Sequence, residues 1–184
     1  MLKTAFRPLR VQDYRELPEG PPYYQLIEGD LEMSPAPSRI HQAILRNISC
    51  ILFEFLQRNP TGEFYFAPID VFLTDLNVYQ PDLVFISKPR ASILTDDGLI
   101  GAPDLVVEVL SPKTAKLDRG IKREVYARAG VTEMWIVDPE VKQIQVFHLT
   151  KSAERPAGVY KARQSFLSPL FAGRKISVAK IFRR

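Results

Sequence analysis

A chain of 184 residues, 46% of them hydrophobic, is long enough to bury one substantial core and short for two. No stretch approaches the roughly 20 apolar residues of a membrane helix, the opening MLKTAFRPLRVQ lacks the apolar segment of a secretory signal, and a lone Cys50 excludes an internal disulfide. The net charge of +4 permits a nucleic-acid partner without requiring one, and the expectation is a soluble, cytoplasmic protein.

Taken in order, residues 11–17 (VQDYREL) fit a short helix stopped by Pro18. Residues 23–33 (YYQLIEGDLEM) fit a hairpin turning at Glu28-Gly29-Asp30, where Gly29 is free to take positive φ. Ser34 to Pro37 is a stiff connection, and Ser38 is placed to cap a helix over 39–58. In that helix Ile40, Ile44, Ile48, Ile51, Leu52 and Phe55 recur at three and four, so this face packs on a sheet. Cys50 reads as a core filler and His41 as a group at the helix start. Strands are expected over 63–67 and 69–73, then a turn at 75–77 and a central strand over 79–86. Residues 88–99 read as a loop with a short helical possibility, and 101–110 as a second central strand.

Period 3.6 returns over 114–129, with Leu117, Ile121, Val125 and Ala129 as the sheet-facing stripe and Gly130 ending the helix. Asp118, Lys122 and Tyr126 form a row beside that stripe. Strands over 134–139 and 143–149 follow, the second carrying a structural His148. Short strands over 158–163 and 175–182 are joined through Ser168-Pro169. Strand, helix and strand over 103–138 make a crossover, so part of the sheet is parallel. The reading is an α/β fold with a mixed sheet, one domain over 1–184 with its core at about 23–149.

Two carboxylates interrupt the central strands. Asp82 opens PDLVFI, and Glu108 sits inside PDLVVEVLSP between valines. A buried strand is expected to be almost purely apolar, and a charge within it needs a partner. The ordinary reading is an acid at a strand end, bonded to a backbone N–H or an arginine. Chain length points to something more specific. Four strand residues from Glu108 to Pro112 advance about 13 Å, and eight helical residues from Thr114 to Lys122 return about 12 Å. Lys122 should therefore arrive level with Glu108. Two acids and a lysine suit a divalent metal and an activated water.

These residues resemble the PD-(D/E)XK nuclease superfamily. More closely, GAPDLVVEVLSP followed by KREVYARAGVTEMWIVDP resembles a bacterial family of restriction-endonuclease-like proteins formerly labelled a domain of unknown function. The resemblance implies a restriction-endonuclease-like core, a central mixed sheet flanked by helices, with an amino-terminal hairpin. It implies Mg²⁺- or Mn²⁺-dependent hydrolysis of DNA phosphodiesters, often as a homodimer. Carried over, Asp82 and Glu108 become metal ligands and catalytic groups. The superfamily's usual lysine position, two residues after the glutamate, is Leu110 here, and Lys122 takes that part. Gln25 stands where the family commonly has glutamate, and His41, Asp118 and Tyr126 are supporting residues. Lys113, Lys116, Arg119 and Arg123 are candidates for contacts to the nucleic-acid backbone. Two alternatives stay open: an impaired nuclease fold that only binds nucleic acid, and a self-associating structural domain with a buried ion network.

Overall fold

In the computed structural model, residues 7–183 are described. Residues 1–6, which carry part of the leader expectation, and Arg184 at the end of the basic tail lie outside the described residues. After a short helix α1 (Val11–Arg15), β1 (Tyr24–Ile27) and β2 (Asp30–Met33) pair around Glu28-Gly29. Both turn residues take positive φ, +50° and +87°, as a two-residue hairpin of matching twist requires. Gly29 is doubly constrained, because a Cβ there would lie 2.4 Å from Pro8 Cβ. Ser38 caps α2 (Arg39–Arg58), its hydroxyl accepting from His41 N–H at 3.2 Å. Ile44, Ile48, Ile51, Leu52 and Phe55 are buried along one face, whereas Ile40 and Cys50 are exposed. Cys50 is thus no core filler: its place on the helical wheel falls off the stripe that its neighbours Ile48 and Ile51 define.

The middle of the chain supplies β3 (Gly62–Phe66), β4 (Val71–Thr74), β5 (Asn77–Tyr79) and β6 (Leu83–Ser87). A 3₁₀ turn (Lys88–Ile93) then leads into a small hairpin of β7 (Leu94–Thr95) and β8 (Gly98–Ile100). Next come β9 (Leu105–Val109), α3 (Ala115–Arg119), α4 (Ile121–Ala129), β10 (Glu133–Asp138) and β11 (Gln143–His148). The chain closes with β12 (Gly158–Lys161), β13 (Ser165–Leu167), β14 (Lys175–Ser177) and α5 (Val178–Ile181).

Three expectations change here. The apolar run 79–86 is two strands in two different sheets, because Pro81 has no N–H to give a ladder and fixes its own φ. The helix over 114–129 is broken at Gly120, whose φ of −112° and ψ of −111° leave the helical region. The last stretch, read as one strand, is the short β14 followed by α5.

One six-stranded sheet runs β2-β1-β5-β4-β8-β7, and the other runs β12-β11-β10-β9-β6-β3. The second is mixed: β9 and β10 are parallel across the α3–α4 crossover, and its remaining pairs are antiparallel. Its two faces are both covered. Ile48 and Leu52 of α2, with Phe171 and Ile181 from the carboxy-terminal part, pack on Val107 and Trp135. On the opposite face, Val125 and Tyr126 of α4 and Val71, Tyr79 and Leu99 of the first sheet pack on Val84, Val106 and Ile136. This is an α/β fold with a central mixed sheet flanked by helices. Double coverage explains why β6, β9 and β10 read as nearly unbroken apolar runs.

Glu133, at the start of β10, is a second buried acid. Its carboxylate accepts from Trp135 Nε1 at 2.5 Å and from Ser168 Oγ at 3.1 Å, tying the carboxy-terminal segment to the sheet. Burial pushes it up to about 7, against those two hydrogen bonds. His148 Nε2 lies 3.8 Å away, in the structural setting expected of it.

Candidate active site

The sequence Pro-Asp-Leu-Val occurs twice, at 81–84 and 103–106, and the fold makes the two copies partners. β6 and β9 pair antiparallel with Leu83 opposite Val107 and Phe85 opposite Leu105. Asp82 Oδ2 accepts from Val109 N–H at 2.6 Å, and Asp104 Oδ2 accepts from Ser87 N–H at 2.7 Å. Each aspartate therefore extends the ladder where its own strand has not yet begun. Asp104 lies 3.6 Å from Arg90 Nε and has a structural task. Asp82 instead meets His41 Nε2 through Oδ1 at 2.9 Å, so the head of α2 is fastened to the strand entry.

Glu108 follows on β9 and is 3% exposed. Its Oε1 lies 2.6 Å from Lys122 Nζ and accepts from Tyr126 OH at 2.8 Å. Lys122 Nζ also lies 3.0 Å from Asp118 Oδ1 and 5.6 Å from the centre of the Tyr79 ring. Tyr79 and Tyr126 meet edge to face at 5.3 Å. The length argument for Lys122 therefore corresponds to a direct contact. Its companion expectation inverts: Asp118, Lys122 and Tyr126 are buried, whereas Leu117 and Ile121 of the anticipated stripe are only partly so. The polar row goes inside because its members satisfy one another there, with Val125 filling the space beside them. One acceptor stays imperfect, since Asp118 Oδ1 is buried and lies off the hydrogen-bonding line of its lysine.

Charge dominates this cluster. Burial pushes Glu108 up to about 8, opposed by Lys122 and reinforced by Asp118 and Asp82. For Lys122, burial acts downward, but the carboxylates of Glu108 and Asp118 outweigh it and raise the ammonium above its ordinary value. An ionised Glu108 is the chief cause that raises Lys122. The 2.6 Å contact with an ammonium favours the ionised pair. Glu108 and Asp118 are then two buried carboxylates against one buried ammonium, an excess of one negative charge, and Asp82 stands nearby, partly exposed and paired with His41. A buried excess charge calls for a proton or a cation.

Other candidate residues occupy distinct places. Gln25 on β1 is buried, accepts from Gln80 N–H at 3.0 Å and donates to Ser34 Oγ at 3.2 Å. It thereby fixes the Gln80–Pro81 link that delivers Asp82. Lys113 and Lys116 are exposed at the helix entrance, Arg119 is bonded to Asp138 at 2.5 Å, and Arg123 lies over Phe147 at 5.1 Å. Tyr79, directly before the Gln80-Pro81 break, is not singled out by the sequence, because nothing in the chain order shows that it lies beneath Lys122.

Hard carboxylate oxygens suit Mg²⁺ or Mn²⁺, and Glu108 Oε2 and part of Asp82 remain available to such an ion. Among the described residues no group of three or more His, Cys, Asp or Glu could hold a metal by itself. Two acidic side chains would leave most positions around such an ion to water.

The model of the family Uma2, described as "Putative restriction endonuclease", matches residues 11–179. The chain belongs to the Uma2 family. A solved structure shares the fold. A crystal structure described as a putative nuclease from Anabaena variabilis ATCC 29413 superposes with a TM-score of 0.79 at 19% identity, covering 95% of this chain and 98% of that one. No curated protein matches the chain. Membership in Uma2 accounts for the restriction-endonuclease-like core. No described helix is long and apolar enough to cross a membrane.

Proposed function

We propose that this Uma2 protein is a metal-dependent endonuclease that hydrolyses phosphodiester bonds in DNA, with Mg²⁺ or Mn²⁺ held by Asp82 and Glu108. The observation that carries the reading is the excess negative charge of buried Glu108 and Asp118 around Lys122, with the partly exposed carboxylate of Asp82 at the neighbouring strand entry. Uncompensated carboxylate charge of this kind suits a cation. When bound, the ion supplies Lewis-acid polarisation of a phosphate oxygen and a more acidic water.

The chain's own groups have separable tasks. Asp82, pinned by Val109 N–H and His41, presents its remaining lone pairs in a fixed direction. Tyr126 holds one oxygen of Glu108 and leaves the other free. Lys122, kept as an ammonium by its two acids, offsets negative charge on the phosphate and orients the attacking water by donation; it is not the base. Asp118 would keep that ammonium in place were Glu108 to take up a cation. Lys113, Lys116, Arg119 and Arg123 would contact the phosphate backbone, giving salt-sensitive and largely sequence-blind affinity, in a homodimer acting on both strands.

Nicking of supercoiled plasmid tests the proposal. Wild type with Mg²⁺ or Mn²⁺ should open the plasmid, EDTA should stop it, and Glu108→Gln should cut on the order of 10²-fold more slowly or less. Equal background cutting by both proteins would remove the enzymatic reading. Neutral Gln25 and the already paired Glu108 favour one alternative, a fold that holds DNA without cutting it. That alternative requires DNA retention unchanged by EDTA and by Glu108→Gln.

A further inference from the structure

A groove of about 840 Å³ opens beside α1, within the roughly 300–1,000 Å³ typical of ligand sites. Its walls are aromatic, with Tyr14, Tyr23, Tyr24, Tyr65 and Phe72. At its floor Asp70 Oδ1 accepts from Tyr14 OH at 2.9 Å and from Gln80 Nε2 at 2.8 Å. Glu19, Asp96 and Asp97 stand exposed around it, and Arg15 is the one basic residue of the lining. Four carboxylates against one guanidinium is a local inversion in a chain of net charge +4.

That lining repels a phosphate backbone and attracts a cation. Tyrosine faces add to the attraction, because a cation over an aromatic ring is drawn to its negative face. The groove already displays the arrangement once: the Arg15 guanidinium lies over the Phe72 ring, 5.0 Å from its centre. A planar guanidinium can stack on a ring and present a fork to a carboxylate at the same time, which an ammonium cannot. The volume exceeds what one side chain fills.

We propose that this groove is a docking site for an arginine-bearing, extended peptide segment of a protein partner. It is independent of the reaction assigned to Asp82 and Glu108.

The test is binding of capped hexa-arginine to the full chain by calorimetry, with capped hexa-lysine and a twelve-residue oligothymidylate as comparison probes. Hexa-arginine should bind severalfold tighter than hexa-lysine. The double substitution Asp96→Asn/Asp97→Asn lies in an exposed turn and should leave the melting temperature unchanged. It should weaken hexa-arginine binding about fivefold or more. Tyr23→Ser should narrow the preference for arginine over lysine. Equal affinity of wild type and the double variant would overturn the proposal, as would equal affinity for the two peptides. Displacement of the peptide by the oligothymidylate would also overturn it and make the groove a nucleic-acid site.

Discussion

Lys122→Met should destabilise the protein by about 3–5 kcal/mol at alkaline pH, the cost of leaving a buried carboxylate without its cation. The penalty should depend on pH in a definite direction. Glu108 is raised in the folded state by burial, and loss of Lys122 removes the main influence holding it down. A group raised on folding contributes stability below its unfolded value, near 4.5, and loses it as pH rises through its folded value, at or above about 8. The gap in melting temperature between wild type and Lys122→Met should therefore be small at pH 5 and large at pH 8.5. Adding Glu108→Gln should recover part of the loss at pH 8.5, because only Asp118 is then left buried without its ammonium. A gap equal at both pH values would show that Lys122 contributes by packing alone.

Asp82 gives the second large effect, and the choice of substitution separates its two roles. Asp82→Ala strands the buried Val109 N–H and should cost about 1–3 kcal/mol in stability as well as activity. Asp82→Asn can still accept from Val109 through its carbonyl oxygen and donate to His41, so the fold should stay within about 1 kcal/mol of wild type. It loses the charge that would face a cation, and plasmid nicking should fall on the order of 10²–10³-fold. Thermal melts beside nicking rates check both halves. An Asp82→Asn protein that melts normally and cuts normally would leave Asp82 a purely structural residue, like Asp104.

How much of this could be read from the chain follows from what each pattern encodes. Periodicity sufficed for α2, and turn chemistry sufficed for the hairpin at Glu28-Gly29, because both are local. The arrival of Lys122 beside Glu108 needed only the rises of strand and helix and the direction of a crossover. The division into two sheets was hidden, since an apolar run does not record which sheet each half joins, and Pro81 reads equally as an edge position. The full burial of Asp118, Lys122 and Tyr126, deeper than Leu117 and Ile121, was hidden for a different reason. Polar residues on a helix are ordinarily solvated, and only their mutual pairing across to Glu108 makes burial the lower-energy choice. The separate fates of Asp82 and Asp104 were equally invisible: both sit in Pro-Asp-Leu-Val, and what distinguishes them is His41 on one side and Arg90 on the other.

If Asp82 and Glu108 together seat a divalent cation, crystals soaked in Mn²⁺ should reveal it by anomalous diffraction. One strong peak is expected beside the carboxylates of Asp82 and Glu108, with Lys122 Nζ shifted from Glu108 toward Asp118. A featureless map at that point, with Lys122 still seated on Glu108, would contradict it.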